Sequence, residues 1–178
     1  QLQTSFGVNM LALNDGRPEL MSIRDILDAF LLFREDVVTR RTQHDLHKAR
    51  ERAHILVGLA IAVTNIDEVI ALIRRAPTPA AAREELLARD WPVADIGPLV
   101  ALIADPRHQI SDANTIRLSE EQARAILDLR LQRLTALGRD EIGDELQGLG
   151  DTIKDYLDIL GSRARVMDII KGELLEMK

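Results

Sequence analysis

From Ser22 to Val57 neither glycine nor proline interrupts the chain, and the residues that fill this stretch carry a helical rhythm. Ser22 with Asp25 three residues on is a helix start signal. Behind it Ile23, Ile26, Leu27, Phe30, Phe33 and Val37 recur at three- and four-residue steps, the spacing of one helix face. A helix over residues 22 to about 62 spans on the order of 60 Å at 1.5 Å per residue, longer than a small domain is wide. Between Val38 and Ala53 its only large aliphatic residue is Leu46. Such a segment is not wrapped by a core on several sides. It contacts one partner helix and otherwise projects into solvent.

The partner is legible downstream. Ile142, Leu149 and Tyr156 recur every seven residues, and Leu146, Ile153 and Leu160 form an interleaved second set, so the two stripes make a coiled-coil seam. The expected fold is mainly α: a long antiparallel coiled coil carrying a small helical knob at its tip, with a short N-terminal β-hairpin. Residues 1–21 form the hairpin at the base, 22–64 the outgoing helix, 65–137 the knob, 138–160 the return helix and 161–178 a final amphipathic helix at the base. In the hairpin, residues 5–13 alternate like a strand, Asn14-Asp15-Gly16 marks a turn, and residues 18–21 are extended. Within the knob, Thr78-Pro79 caps a helix that runs to about Arg89, Asp90-Trp91-Pro92 ends it, and residues 104–115 form a polar loop.

Composition agrees with an extended helical assembly. Aromatic residues make up 3% of the 178, too few for a core built in the usual way on Phe, Tyr and Trp. The absence of cysteine excludes disulfides and thiolate metal sites. The most apolar run, residues 55–63, is far short of the roughly 20 residues that span a bilayer, and the N-terminus is not a signal peptide. A start on Gln1 and a stop in a charged helical run fit a piece of a larger protein. The net charge of −6 argues against a major nucleic-acid grip. The one basic cluster, Arg40, Arg41, Lys48, Arg50 and Arg52, is interleaved with Asp45 and Glu51 and reads as a solvated helix face.

Residues 118–137, LSEEQARAILDLRLQRLTAL, open with Ser119 and Gln122 in the reciprocal arrangement of a capping box, so a helix begins at Ser119. Together with residues 39–79, TRRTQHDLHKARERAHILVGLAIAVTNIDEVIALIRRAPTP, this stretch resembles the breakage-and-reunion core of the DNA gyrase A subunits, which are type IIA topoisomerases. Topoisomerase IV shares the helix around Arg130, whereas residues 76–92, APTPAAAREELLARDWP, are more similar to gyrase.

The resemblance implies that the knob is the dimerisation element of the exit gate, or C-gate, through which the transported duplex leaves during ATP-dependent supercoiling. It implies a homodimer through that gate, partnership in the parent enzyme with DNA and the gyrase B subunit, a bacterial cytoplasmic location, and a gyrase-targeting toxin or inhibitory protein as a second partner. Mg2+ and ATP act through the B subunit, leaving this fragment without cofactor, metal or catalytic residue. The family's nucleophilic tyrosine follows an arginine in a winged-helix domain. The only tyrosine here, Tyr156, follows Asp155 on the seam and reads as a packing residue. The gate residues are then Ile126, Leu129, Arg130, Arg133 and Leu134, with two copies of Arg130 approaching across a two-fold axis. Like charges there make a contact short of maximal stability, as suits a door; the alternative is that Arg130 pairs with a nearby carboxylate and is structural. Gly148 and Gly150 in the return helix are a candidate hinge, each weakening an exposed helix by about 1 kcal/mol; the alternative is close approach of the outgoing helix.

Other constellations carry less. His44, His47 and Glu51 share a helix face at metal-ligand spacing, yet an exposed helix lacks the outer partners that orient real ligands. His54 opens an apolar run and reads as a hydrogen-bonded residue where stalk meets knob. His108 lies in a polar loop, and Asp128 and Arg130, two apart, do not face each other. Without the resemblance, a free-standing coiled-coil adaptor that binds protein partners is the leading reading. An enzyme ranks behind it, for want of a phosphate loop, a nucleophile triad or a convincing metal set.

Overall fold

The computed structural model describes residues 3–5, 7, 9–93, 96–103, 105, 107, 110–129 and 136–177. It is mainly helical and divides into two compact units, residues 1–43 with 159–178, and residues 44–158.

The first unit opens with a hairpin of β1 (Met10–Asn14) and β2 (Arg17–Met21), paired antiparallel from Met10 opposite Met21 to Asn14 opposite Arg17. That register leaves a two-residue loop, Asp15-Gly16, with φ of 48° and 77°. Positive φ at both positions is the twisted turn a tight hairpin needs, and it explains the glycine. The strand is shorter than the alternation over residues 5–13 suggests. β2 offers only five partners before Ser22 turns the chain into a helix.

α1 (Ile23–Thr64) is a single helix of 42 residues. It starts on a reciprocal cap, in which the Ser22 N–H donates to Asp25 Oδ2 at 2.9 Å and the Asp25 N–H donates to Ser22 Oγ at 3.2 Å. The Ser22 hydrogen bonds hold the Asp25 carboxyl below its usual value. Residues 23–43 of α1 pack in the first unit with α7 (Arg163–Glu176). The apolar centre there is small: Val38, Ile159, Val166 and Ile170 are buried. Ion pairs supplement it. Arg34 and Arg41 both reach Glu173, and Arg163 grips Glu35 through two bonds of 3.1 and 2.7 Å.

The same unit exposes a run of large apolar side chains. Leu11, Leu13, Leu20, Ile23, Leu27, Leu32 and Phe33 are between 57% and 78% exposed. Monomers rarely leave so much contiguous apolar surface in water.

The second unit holds the larger core. Residues 44–64 of α1 bury Leu46, Ala49 and Ala53 as one stripe, and from Leu56 to Val63 the helix is buried on every side. The helix ends where the Thr64 hydroxyl and the Asn65 amide bond back to the Ala60 and Ile61 carbonyls at 2.9 and 2.8 Å, the Ile61 carbonyl also accepting the Asn65 N–H at 3.0 Å. α2 (Ile66–Arg75) leaves at 89° to α1. α3 (Pro79–Ala88) is capped by Thr78, whose hydroxyl accepts from the Ala81 N–H, and Pro79 occupies the first helical position.

After α3 the chain does more than stop. β3 (Asp90–Pro92) pairs antiparallel with β4 (Thr115–Arg117), with Trp91 opposite Ile116. Trp91 is fully buried and its indole N–H donates to the Leu86 carbonyl at 3.0 Å. A short α4 (Gly97–Ile103) lies between the strands in sequence. α6 (Ala136–Gly161) places Ile142, Leu146, Gly150 and Ile153 in the interior.

Candidate functional site

The site that the sequence points to is α5 (Glu120–Leu127) and the chain that follows it. The capping box forms as the sequence indicates: Ser119 Oγ accepts from the Gln122 N–H at 3.2 Å, and Gln122 Oε1 accepts from the Ser119 N–H at 2.9 Å. α5 is eight residues long. The Asp128 N–H still bonds to the Arg124 carbonyl, but the Leu129 N–H turns to the Ile126 carbonyl at 3.2 Å, a tighter turn that ends the helix. Asp128 is a poor interior helix residue, which suits that stop.

Beneath α5 lies a contact that local sequence signals do not announce. Gln122 is 1% exposed and its amide donates to the His54 carbonyl of α1 at 2.7 Å. The imidazole Nε2 of His54 lies 2.7 Å from Ser119 Oγ. One turn along α1, Gly58 supplies the room: a β-carbon there would stand 2.6 Å from Cβ and Cγ of Gln122. Arg107 ties the loop after α4 to the same part of α1, meeting Asp105 at 2.6 Å and Glu51 at 2.9 Å. The Asp105 hydrogen bonds push the Arg107 guanidinium up, so it is a permanent cation. Burial depresses the His54 imidazole, and Arg107 depresses it further against the opposing pull of Asp105, Glu121 and Glu51. His54 is therefore neutral at pH 7.

The residues singled out in sequence separate into groups. Ile126 is buried within the chain, beneath the exposed side of α5. Leu129 is half-buried just beyond the helix end. Arg130, Arg133 and Leu134 lie outside the described residues, as does His108. On α6, Ile142, Leu146 and Ile153 are buried, while Leu149, Tyr156 and Leu160 are half-exposed at the margin. Gly148 is exposed with open space around it, and Gly150, two residues on, faces inward. His44 and His47 are exposed, and among the described residues no three His, Cys, Asp or Glu side chains come together as a metal set. Among those residues, too, no single helix is long and apolar enough to cross a membrane.

A Ser–His pair at 2.7 Å invites comparison with a hydrolase nucleophile and its base. Ser119 Oγ, however, is already the acceptor of the Gln122 N–H, and the imidazole is buried, so the pair is built into the packing of α5 on α1.

Comparison with known proteins gives these elements a family. The profile of the DNA gyrase/topoisomerase IV A subunits matches residues 1–175. The DNA gyrase A subunit of Granulibacter bethesdensis is 55% identical over 174 residues, covering 98% of this chain and 18% of that protein. Those of Rickettsia bellii and Salmonella typhimurium are 49% and 46% identical, covering 100% and 98% of this chain and 20% and 21% of their own lengths. The chain thus spans about a fifth of the relatives it matches. With the profile running over residues 1–175 and half the residues shared with gyrase A subunits, the chain belongs to the family of DNA gyrase/topoisomerase IV A subunits.

Proposed function

We propose that this chain is the exit-gate dimerisation segment of a gyrase A-type protein, the part that joins two protomers and frames the chamber through which a transported duplex leaves. The observation that carries the reading is the family match over residues 1–175, which includes the capped α5. In this reading Leu129, Arg130, Arg133 and Leu134 meet their symmetry mates, Ile126 stiffens the surface from beneath, and the Gly148–Gly150 stretch of α6 is where the return helix yields when the gate opens. Two Arg130 guanidinium groups near the axis repel, which keeps the door from closing too firmly.

The chain does not cut DNA by itself in this reading. Its single tyrosine, Tyr156, stands on α6 after Asp155, away from any arginine in sequence. Cleavage, ATP and Mg2+ belong to the rest of the parent enzyme and its B subunit, in the bacterial cytoplasm. The exposed apolar face of the first unit is assigned to the remainder of the parent protein, because relatives are about five times as long as this chain. A toxin or inhibitory protein that wedges into the gate is a second partner in this reading.

Sedimentation equilibrium of the chain, and of the longer protein that contains it, tests the reading. A reversible dimer is expected in both, and interfaces of standard size support affinities from micromolar to picomolar. Because the chain has no cysteine, a single Leu129→Cys substitution should in addition give one disulfide-linked dimer on oxidation. Monomers at every concentration in both proteins, with no cross-link, overturn it.

A further inference from the structure

We propose that His54, Ser119 and Gln122 form a proton-sensitive latch whose task is to position α5, and with it the gate surface, against α1. The inference rests on the gate reading, and its test separates the two.

A helix of eight residues does not hold itself together in water; its geometry comes from what it is tied to. Gln122 supplies the tie. Its side chain spends one end on the cap, accepting from the Ser119 N–H, and the other on the His54 carbonyl at 2.7 Å. Gly58 lets the stem of that side chain lie on the α1 backbone. On the outer side, Arg83 of α3 meets Glu120 at 3.2 Å, an exposed pair that contributes little. The interior latch ties α5 to α1, and it acts together with the packing of α5 on α3 and the burial of Ala123 and Ile126.

The imidazole makes the latch responsive. Ser119 Oγ already accepts the Gln122 N–H, so with a neutral ring its own proton goes to His54 Nε2, and every partner is satisfied. A protonated ring reverses that bond: Nε2 becomes the donor, the Ser119 hydroxyl must turn, and its proton loses the acceptor it had. Of what surrounds the ring, Asp105, Glu121 and Glu51 favour a proton, but burial and Arg107 outweigh them. Arg107 is a cation, and Asp105 and Glu51 are already bonded to it. Glu121 is 3.9 Å away with its side chain 61% exposed. The folded ring thus resists a proton that the released ring accepts near the ordinary value of 6.5. Hold on α5 is complete above that value and declines below it, approaching tenfold per pH unit until the folded ring titrates.

Two measurements on this chain and on the parent protein decide the matter. Hydrogen-exchange protection of the α5 amides, corrected for intrinsic rates, should fall by up to about tenfold between pH 7.5 and pH 5.5. The dimer dissociation constant should rise in parallel. His54→Gln keeps a neutral hydrogen-bonding group near Ser119, so it should retain protection and abolish the pH response. Gln122→Leu should lower protection and weaken the dimer at all pH values, and Gly58→Leu should do the same by displacing Gln122. If His54→Gln responds to pH as the parent does, the latch is refuted. So too if Gln122→Leu leaves α5 protection unchanged. If α5 protection follows the proton as described while no dimer forms at any pH, the latch stands and the gate reading falls.

Discussion

Replacing Leu146 by alanine tests whether α6 is part of a specific core in the second unit or lies loosely along it. Leu146 is 1% exposed and lines a cleft of about 80 Å3 with Ala60, Val63, Ile96, Ile142 and Gly143. Three carbons leave the interior, worth about 2.4 kcal/mol at 0.8 kcal/mol per buried carbon. The void adds about 24 cal/mol per Å3. Because a space already adjoins the site and lets neighbours and water shift, that addition should be small, and the slightly better helix propensity of alanine offsets part of it. The expected loss is about 3 kcal/mol, near the lower end for buried leucine. Trp91, the sole tryptophan, is fully buried in the same unit, so its emission reports urea unfolding of that unit alone. With a slope of about 1.5 kcal/mol per molar urea, the midpoint should fall by about 2 M. Leu157→Ala, on the same helix at a position 39% exposed, is the control and should cost below about 1 kcal/mol. A Leu146 effect no larger than that of Leu157 would refute the packing argument.

Trp91→Phe deprives the Leu86 carbonyl of its indole donor and should cost about 1–3 kcal/mol, read by thermal melting followed by circular dichroism; a change within about 0.5 kcal/mol would sink the idea. Glu173, held below its ordinary 4.5 first by the Arg41 hydrogen bond and also by Arg34, stabilises the first unit above pH 4.5 and loses that contribution as pH falls towards its folded value. The melting-temperature gap between the parent and Glu173→Gln should therefore narrow on acidification below pH 4.5, and a gap constant with pH would contradict the assignment. Gly148→Ala, at an exposed helical site with open space for the methyl group, should stabilise α6 by about 1 kcal/mol. In the parent enzyme it should slow strand passage and spare DNA cleavage if α6 bends there, and unaltered passage would remove the hinge.

What the sequence reveals here is what adjacent residues decide. Ser22 with Asp25, Thr78 with Pro79, and Ser119 with Gln122 each write a helix start within four residues, and each appears as a formed cap. Asp15-Gly16 writes its turn in the same way. What escapes is decided by residues far apart in the chain. Trp91 reads as the end of a helix because its pairing partner, Ile116, is 25 positions away and three-residue strands leave no alternation to detect. His54 reads only as hydrogen-bonded, since nothing near it in sequence indicates Ser119, 65 residues on. Gly58 looks like a small flaw in an apolar run until Gln122 is seen lying on it. The seam on α6 is legible in outline, yet burial favours Ile142, Leu146, Gly150 and Ile153 over Leu149 and Tyr156, as a 3.6-residue helix drifts from a strict seven-residue repeat.

The fate of the basic residues on α1 bears on what surface a chain of net charge −6 would offer a duplex in the proposed role. Arg40 meets Asp36, Arg41 meets Glu173 and Arg52 meets Glu145, each at 2.7 Å. Glu51, which the alternating pattern places among these cations, is engaged by Arg107 instead. A guanidinium already facing a carboxylate releases few counterions on meeting a phosphate, and counterion release is the main source of non-specific affinity for a duplex. Arg41 and Arg52 therefore fasten α1 to other helices, Arg40 is paired along α1, and these three guanidinium groups offer little attraction for DNA. For an element proposed to form the exit of a chamber that is an advantage, because a duplex must pass and a surface that gripped it would slow its departure. On this argument the acidic balance and the paired arginines serve one end, a passage that holds its own shape and does not hold its cargo.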